Sequence, residues 1–228
     1  MHPRLEAMLA RYSNLSVCAK DIVYATALLE TTFRNGGKLL VCGNGGSAAD
    51  CEHIAGELMK GFHLPRTVSQ DMRQALTEAF PVDGAYLADH LQEALPVISL
   101  VSHSALSTAI VNDVEADMIF AQQVYGYAKA GDALLGISTS GTSQNVIRAL
   151  QVGRAMGVRC IGLGGKNARA VLPDLCDIAI CTPAQSAAEA QEQHLPIYHA
   201  ICAMLEETFF GTPHQSPQLE NSFVLQQQ

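Results

Sequence analysis

Five short apolar runs constrain this chain more than any other feature: residues 38–42, 96–101, 133–137, 160–163 and 178–181 are built almost wholly of Leu, Val, Ile, Ala and Cys. A strand with one face in water alternates apolar and polar residues, so runs this uniform belong to a sheet covered on both sides. Helical spacing fills the stretches between them. Strands alternating with helices predict an α/β fold, a three-layer sandwich around a parallel sheet of about five strands.

Two of the runs end in turns of unusual composition. Residues 38–42 lead into Gly43, Asn44, Gly45, Gly46 and Ser47 and then an alanine-rich helical stretch; residues 133–137 lead into Ser138, Thr139, Ser140, Gly141, Thr142 and Ser143 and then a helix over 145–156. Both turns fall at the carboxyl ends of parallel strands, where open sheets collect ligands. The second offers hydroxyls beside the free amides and positive dipole of a helix N-terminus, so it can hold a phosphate without lysine. An ordinary capped turn has the same composition, and spacing does not separate the two. The first turn lacks the third glycine of the dinucleotide fingerprint and the lysine of a Walker loop.

Candidate chemistry lies on two helices. His53 and Glu57 stand four residues apart, on one helical face, a spacing that many surface pairs share. The last helix, 187–210, carries Gln191, Glu192, His194 and His199, with Pro196 inside it. Proline removes a backbone donor and clashes with the preceding turn, which predicts a kink and a Glu192 carbonyl without its usual partner. At ~100° per residue, Gln191 stands about 80° and Glu192 about 20° from His199, so periodicity does not choose which faces it. A histidine surrounded by Leu195, Tyr198 and Cys202 is also compatible with a core position.

The chain of 228 residues is the size of one domain. It divides into an N-terminal helical arm (1–35), which could pack on its own chain or on a second subunit, a main domain (36–210) and a tail (211–228) rich in Pro, Gln and Ser that is expected to be loosely ordered. The net charge of −8 without a Lys/Arg cluster argues against nucleic acid as a partner. No apolar run approaches the ~18 residues of a membrane span. Residues 1–20 have helical spacing and no secretory core, so a cytoplasmic protein is expected. Seven cysteines, an odd number without a close pair, fit reduced packing residues better than disulfides or a zinc ribbon. Residues 61–95, with Pro65, Pro81 and helical patches at 72–80 and 85–94, have no evident role.

Taken together, the run from Gly43 to Asp50, His53 with Glu57, Asn112 with Asp113, residues 136–141, and Gln191, Glu192, His194 and His199 resemble the sugar isomerase (SIS) domain of the phosphoheptose isomerase family, over about residues 5–210. The resemblance implies a flavodoxin-like SIS sandwich and an aldose/ketose isomerase of a phosphosugar, sedoheptulose 7-phosphate first among them. On matching positions it implies that Asn44, Gly45, Gly46, Ser47, Asn112, Asp113 and Gln191 contact the sugar phosphate and that Ser138, Thr139, Ser140 and Ser143 grip the phosphate. Glu57 and His199 become the acid/base pair, and His53, Glu57, Gln191 and His199 a zinc set. It also implies a homotetramer with sites between subunits. Two departures leave the sugar open: a longer span between Glu57 and Asp113, which could cap the pocket, and Ala187, Ala188, Glu189 and Ala190 in place of a charged Asp-Arg segment. An isomerase of another sugar phosphate, and a non-catalytic SIS protein that senses a phosphosugar or binds a partner, are the rival readings.

Overall fold

A computed structural model describes residues 1–211; apart from Gly211, the tail expected to be loosely ordered lies outside the described residues. Strands β1 (Leu39–Gly43), β2 (Val97–Ser99), β3 (Ala133–Ile137), β4 (Arg159–Gly164) and β5 (Ile178–Cys181) form one sheet in the order β2-β1-β3-β4-β5. Every pairing is parallel. The helices are α1 (Pro3–Arg11), α2 (Ala19–Arg34), α3 (Gly46–Met59), α4 (Gln70–Ala79), α5 (Gly84–His90), α6 (Ser104–Asp113), α7 (Ile119–Tyr127), α8 (Gln144–Ala155), α9 (Leu172–Leu175) and α10 (Ala187–Phe210).

The uniform apolar runs have their reason in the two cores. Successive strand residues feed opposite faces: Leu39, Val41, Leu135 and Ile137 join one cluster with Leu29, Ile54 and Ile201 from α2, α3 and α10. Leu40, Cys42, Leu134 and Cys160 join the other, with Val124, Leu150 and Leu172 from α7, α8 and α9. A fully buried Leu or Ile contributes roughly 1.5–3 kcal/mol, so the two cores hold the fold and leave the strand ends free to be polar. All seven cysteines are buried and unpaired, as packing residues are.

The helical arm packs on its own chain. Arg4 Nε donates to Glu207 at 2.6 Å and Cys18 Sγ to the Cys181 carbonyl at 3.3 Å. Several elements are shorter than their sequence patterns predict. β2 stops at Ser99, and the second patch of the 61–95 segment ends as helix at His90, because Gln92 joins Thr67 in an antiparallel bridge. The linker near 168–172 is a 3₁₀ turn, Lys166–Ala170, followed by α9. α10 continues through Pro196 as one helix, its start capped by Ser186, whose Oγ accepts from Glu189 N at 3.2 Å. The departure at 187–190 thus supplies a helix cap, with Glu189 also accepting from the Gln185 amide at 2.8 Å.

α4 and α5 form a hairpin in which α4 buries no residue. Its base is tied beneath α3, where Glu93 N donates to the Arg66 carbonyl at 2.8 Å and Leu95 N to the Leu58 carbonyl at 3.0 Å. The strand order places a switch point between β1 and β3, where the connections leave in opposite directions and a crevice opens at the carboxyl ends.

Candidate active site

The two unusual turns meet at that crevice. Gly45 has φ +57° and Gly141 φ +75°, a region that favours glycine, and each lets its turn close into the following helix. Asn44 and Asn145 exchange side-chain hydrogen bonds at 2.8 Å, tying the β1 turn to the first residues of α8. In the β3 turn Ser138 is buried and donates to Ser143 Oγ at 3.0 Å, while Gly141 N donates to Ser138 Oγ at 3.1 Å. Ser140 and Thr142 hydroxyls pair at 2.8 Å on the exposed side. Ser138 therefore shapes the loop, and Thr139, Ser140 and Ser143 are the hydroxyls nearer solvent. Ser47 is buried in the first turn of α3 beneath Gly43.

The second half of the site lies further down α3. Glu57 Oε1 stands 3.2 Å from His53 Nε2 on its own helix and 3.1 Å from His199 Nε2 on α10. Ligand atoms of these three residues all lie within 4.8 Å of one another. Glu57 is 5% exposed. Burial pushes its carboxyl up to about 7, against smaller opposing pulls from Cys202 and Lys60. Burial, then the neighbouring His53 and His63, hold the His199 imidazole below its ordinary value. The i,i+4 pair of α3 is thus no surface pair, because α10 covers its carboxylate.

The three residues fit a metal ion. Both Glu57 carboxylate oxygens and His199 Nε2 are buried without a partner of hydrogen-bond geometry, a set of unmet polar atoms that an ion could satisfy. Ligand atoms 2.0–2.1 Å from a tetrahedral zinc ion stand ~3.4 Å apart, close to the separations found. Two imidazoles and a carboxylate suit zinc and other borderline metals.

Of the residues singled out in the sequence, the structure brings His53, Glu57 and His199 into contact. Gln191 stands at the loop end instead: a Cβ added to Gly46 would lie 1.2 Å from its amide nitrogen. Gly46 and His53 are seven residues apart, about 10 Å of helical rise, which separates Gln191 from the trio along α3. Asn112 and Asp113 are exposed at the end of α6 and bond to each other at 2.7 Å. His194 is fully buried, and burial pushes it down to about 4, so it is a neutral core residue.

Sequence reasoning missed Asn145, Asp50, Tyr198 and Lys166. Lys166 lines a small cleft with Thr139, Ser140, Asn167, Gln185 and Ser186, so a cation does stand beside the hydroxyl loop. Its signal was available, since it follows the β4 strand end at the same edge of the sheet. Asp50 stood only as the last residue of the motif that begins at Gly43, and Tyr198 carried no signal, because their partnership with His53 exists only across α3 and α10.

The fold and these residues define a class, and comparison with known proteins agrees with it. The family model for the SIS domain matches residues 5–88 and 87–165, and the chain belongs to the SIS domain family. Among its relatives there are phosphoheptose isomerases. That of Pelobacter propionicus is 40% identical over 185 residues, covering 81% of this chain and 84% of the relative. That of Nitratiruptor is 37% identical over 188 residues, covering 82% and 86%. Among solved structures, the phosphoheptose isomerase of Neisseria gonorrhoeae matches with a TM-score of 0.68 at 30% identity, covering 89% of this chain and 94% of the other. The Francisella tularensis phosphoheptose isomerase gives 0.71 at 26% identity, covering 89% and 93%.

Proposed function

We propose that this chain interconverts the aldose and ketose forms of a phosphosugar, with sedoheptulose 7-phosphate and D-glycero-D-manno-heptose 7-phosphate as the pair. The observation that carries the reading is the buried Glu57 carboxylate held between two imidazoles. An isomerase of this type needs a base that removes the proton from the carbon beside the carbonyl and an acid that serves the carbonyl oxygen. A carboxyl poised at about 7 gives up and takes back a proton near neutrality, which suits the first role. Glu57 Oε2 takes the proton, an enediol forms, and the same group returns the proton to the neighbouring carbon. His199, kept neutral by burial, is the group that serves the substrate oxygen as acid.

The phosphate is held by Thr139, Ser140 and Ser143 with Asn44, Gly45, Gly46 and Ser47, while Gln191, Asn112 and Asp113 contact the sugar. His53, Glu57 and His199 would hold zinc, which supplies Lewis-acid polarisation of the carbonyl when bound. Gln191, the fourth member of the set the resemblance implies, stands about 10 Å of helix away beside Gly46 in this chain. A carboxylate that ligates through one oxygen keeps the other for the proton. An imidazole bound through Nε2 has only Nδ1 left, so the acid role of His199 and its ligand role exclude each other at that atom.

Glu57 lies eleven residues, roughly 16 Å of helix, beyond Gly46. That separation fits a site completed by a second subunit, and a homotetramer is the assembly that the family resemblance implies. Among the described residues no helix is long and apolar enough to cross a membrane. The proposed setting is the cytoplasm, with no nucleic acid or membrane partner. The test is an isomerase assay on sedoheptulose 7-phosphate beside five- and six-carbon ketose phosphates, with and without a chelator. Turnover preferring the heptose, lost with the chelator and restored by zinc, is expected. No turnover on any of them, together with a stoichiometric protein partner in a pull-down, would overturn the reading in favour of a non-catalytic SIS protein.

A further inference from the structure

Behind the trio runs a second polar chain between α3 and α10. The Tyr198 hydroxyl donates to Asp50 Oδ1 at 3.3 Å and lies 3.0 Å from His53 Nδ1. A phenol carries one proton, and an ionised carboxylate only accepts. With that proton directed at Asp50, the hydroxyl oxygen can only accept from His53, so Nδ1 must be the ring atom that donates. A neutral imidazole has a single N–H. Nε2, 3.2 Å from Glu57 Oε1, then presents a lone pair.

We propose that Asp50 and Tyr198 are positioning residues that hold His53 in the Nδ1–H tautomer, so that Nε2 faces Glu57 as a bare ligand atom and not as a hydrogen-bond donor. Three observations support this. Glu57 Oε1 has no partner of hydrogen-bond geometry although Nε2 is close, as expected for two acceptors that meet across space meant for a cation. Tyr198 is buried and wedged edge-on between the rings, with centroids 5.5 Å from His53 at 74° and 5.1 Å from His199 at 88°, so its hydroxyl oxygen is held between Asp50 and His53. Asp50 Oδ2 has no partner among the described residues, so the carboxylate relies on this hydroxyl through Oδ1.

The geometry stands alone, but its purpose rests on the metal reading above. Groups that hold the far nitrogen of a ligating histidine fix its tautomer and typically change metal affinity by about ten- to hundredfold when removed. The experiment uses the full chain in two arms. In metal-free wild type, long-range ¹H–¹⁵N correlation of the imidazoles at a pH where the rings are neutral reads the tautomer directly, with the His53 signal identified by its absence in His53→Gln. Zinc affinity is then measured by competition with a chromophoric chelator for wild type and Tyr198→Phe, a variant that keeps the ring and removes one oxygen. Nδ1–H in the wild type, a mixed tautomer in Tyr198→Phe and about ten- to hundredfold weaker zinc binding are expected. Nε2–H in the wild type, or a Tyr198→Phe zinc affinity indistinguishable from wild type, would overturn the proposal. A wild type that takes up no zinc sinks the metal reading, while the spectrum of the metal-free protein still decides the tautomer.

Discussion

Glu57 and Glu206 are both buried glutamates where α3 meets α10, and their surroundings treat them in opposite ways. Glu206 is fully buried, and burial alone pushes its carboxyl up, yet the amides of Phe62 and His63 with the Arg66 guanidinium hold it below the ordinary value. Its Oε1 accepts from Phe62 N at 2.8 Å and Arg66 Nε at 2.9 Å; its Oε2 accepts from His63 N at 2.7 Å and Leu64 N at 3.2 Å. Arg66, equally enclosed, also donates to the carbonyls of Leu58 at 2.7 Å and Glu57 at 3.0 Å. Glu57 has imidazoles nearby but no comparable set of donors, and burial prevails. A buried carboxylate with every lone pair met is a fastener; one left with unmet lone pairs is a place for a proton or an ion. The first also holds the end of the helix that carries the second.

The comparison breaks first at turnover. Glu57→Gln is expected to lower kcat by ~10²–10⁴-fold while leaving resistance to urea equal or higher, since a badly solvated charge is removed. A loss of activity matched by a loss of stability would make Glu57 a structural residue after all. Glu206→Ala should do the reverse, costing ~3–5 kcal/mol in urea unfolding because Arg66 is left buried and unpaired. Replacing both, as Arg66→Met with Glu206→Leu, should recover only part of that loss, since the amides of Phe62, His63 and Leu64 stay without their acceptor.

The two carboxyls also respond to pH with opposite sign. Glu57 rises from 4.5 to about 7 on folding, so the folded state holds more protons between those values. Its contribution is therefore fully present below the ordinary value and lost as pH rises through the folded one, by up to ~3 kcal/mol in metal-free protein. Urea midpoints of wild type should fall across that window more steeply than those of Glu57→Gln; parallel curves would refute the shift. The lowered Glu206 contributes stability above its ordinary value and loses it as pH falls through the folded one. The smallest effect is expected at the far loop, where Ser140→Ala should raise KM for a phosphosugar by about five- to tenfold, one hydrogen bond's worth, with kcat retained. A fall in kcat alone would move that hydroxyl from phosphate binding to the chemistry.

Much of this was legible in the chain. Uniform apolar runs called for a two-sided parallel sheet, and β1, β3, β4 and β5 follow those runs closely; glycine and serine turns marked the ends at which the crevice opens. The 61–95 segment was not legible, since a hairpin whose α4 buries nothing has no apolar stripe to announce what it packs on. Nor could period alone choose a partner for His199, because helical angles describe one helix and the answer lies across two.

By itself the sequence determined local geometry: which stretches are strands, which turns follow β1 and β3, and that His53 and Glu57 share a face. Those follow from interactions within a few residues, which backbone sterics and burial pattern dictate. Only the tertiary structure decided that Glu57 is covered by α10 and faces His199, that Glu206 and not Glu57 receives Arg66, and that Gln191 rests on Gly46. Burial and charge partnership are properties of packed elements, and a carboxylate becomes a fastener or a base only when the second helix arrives.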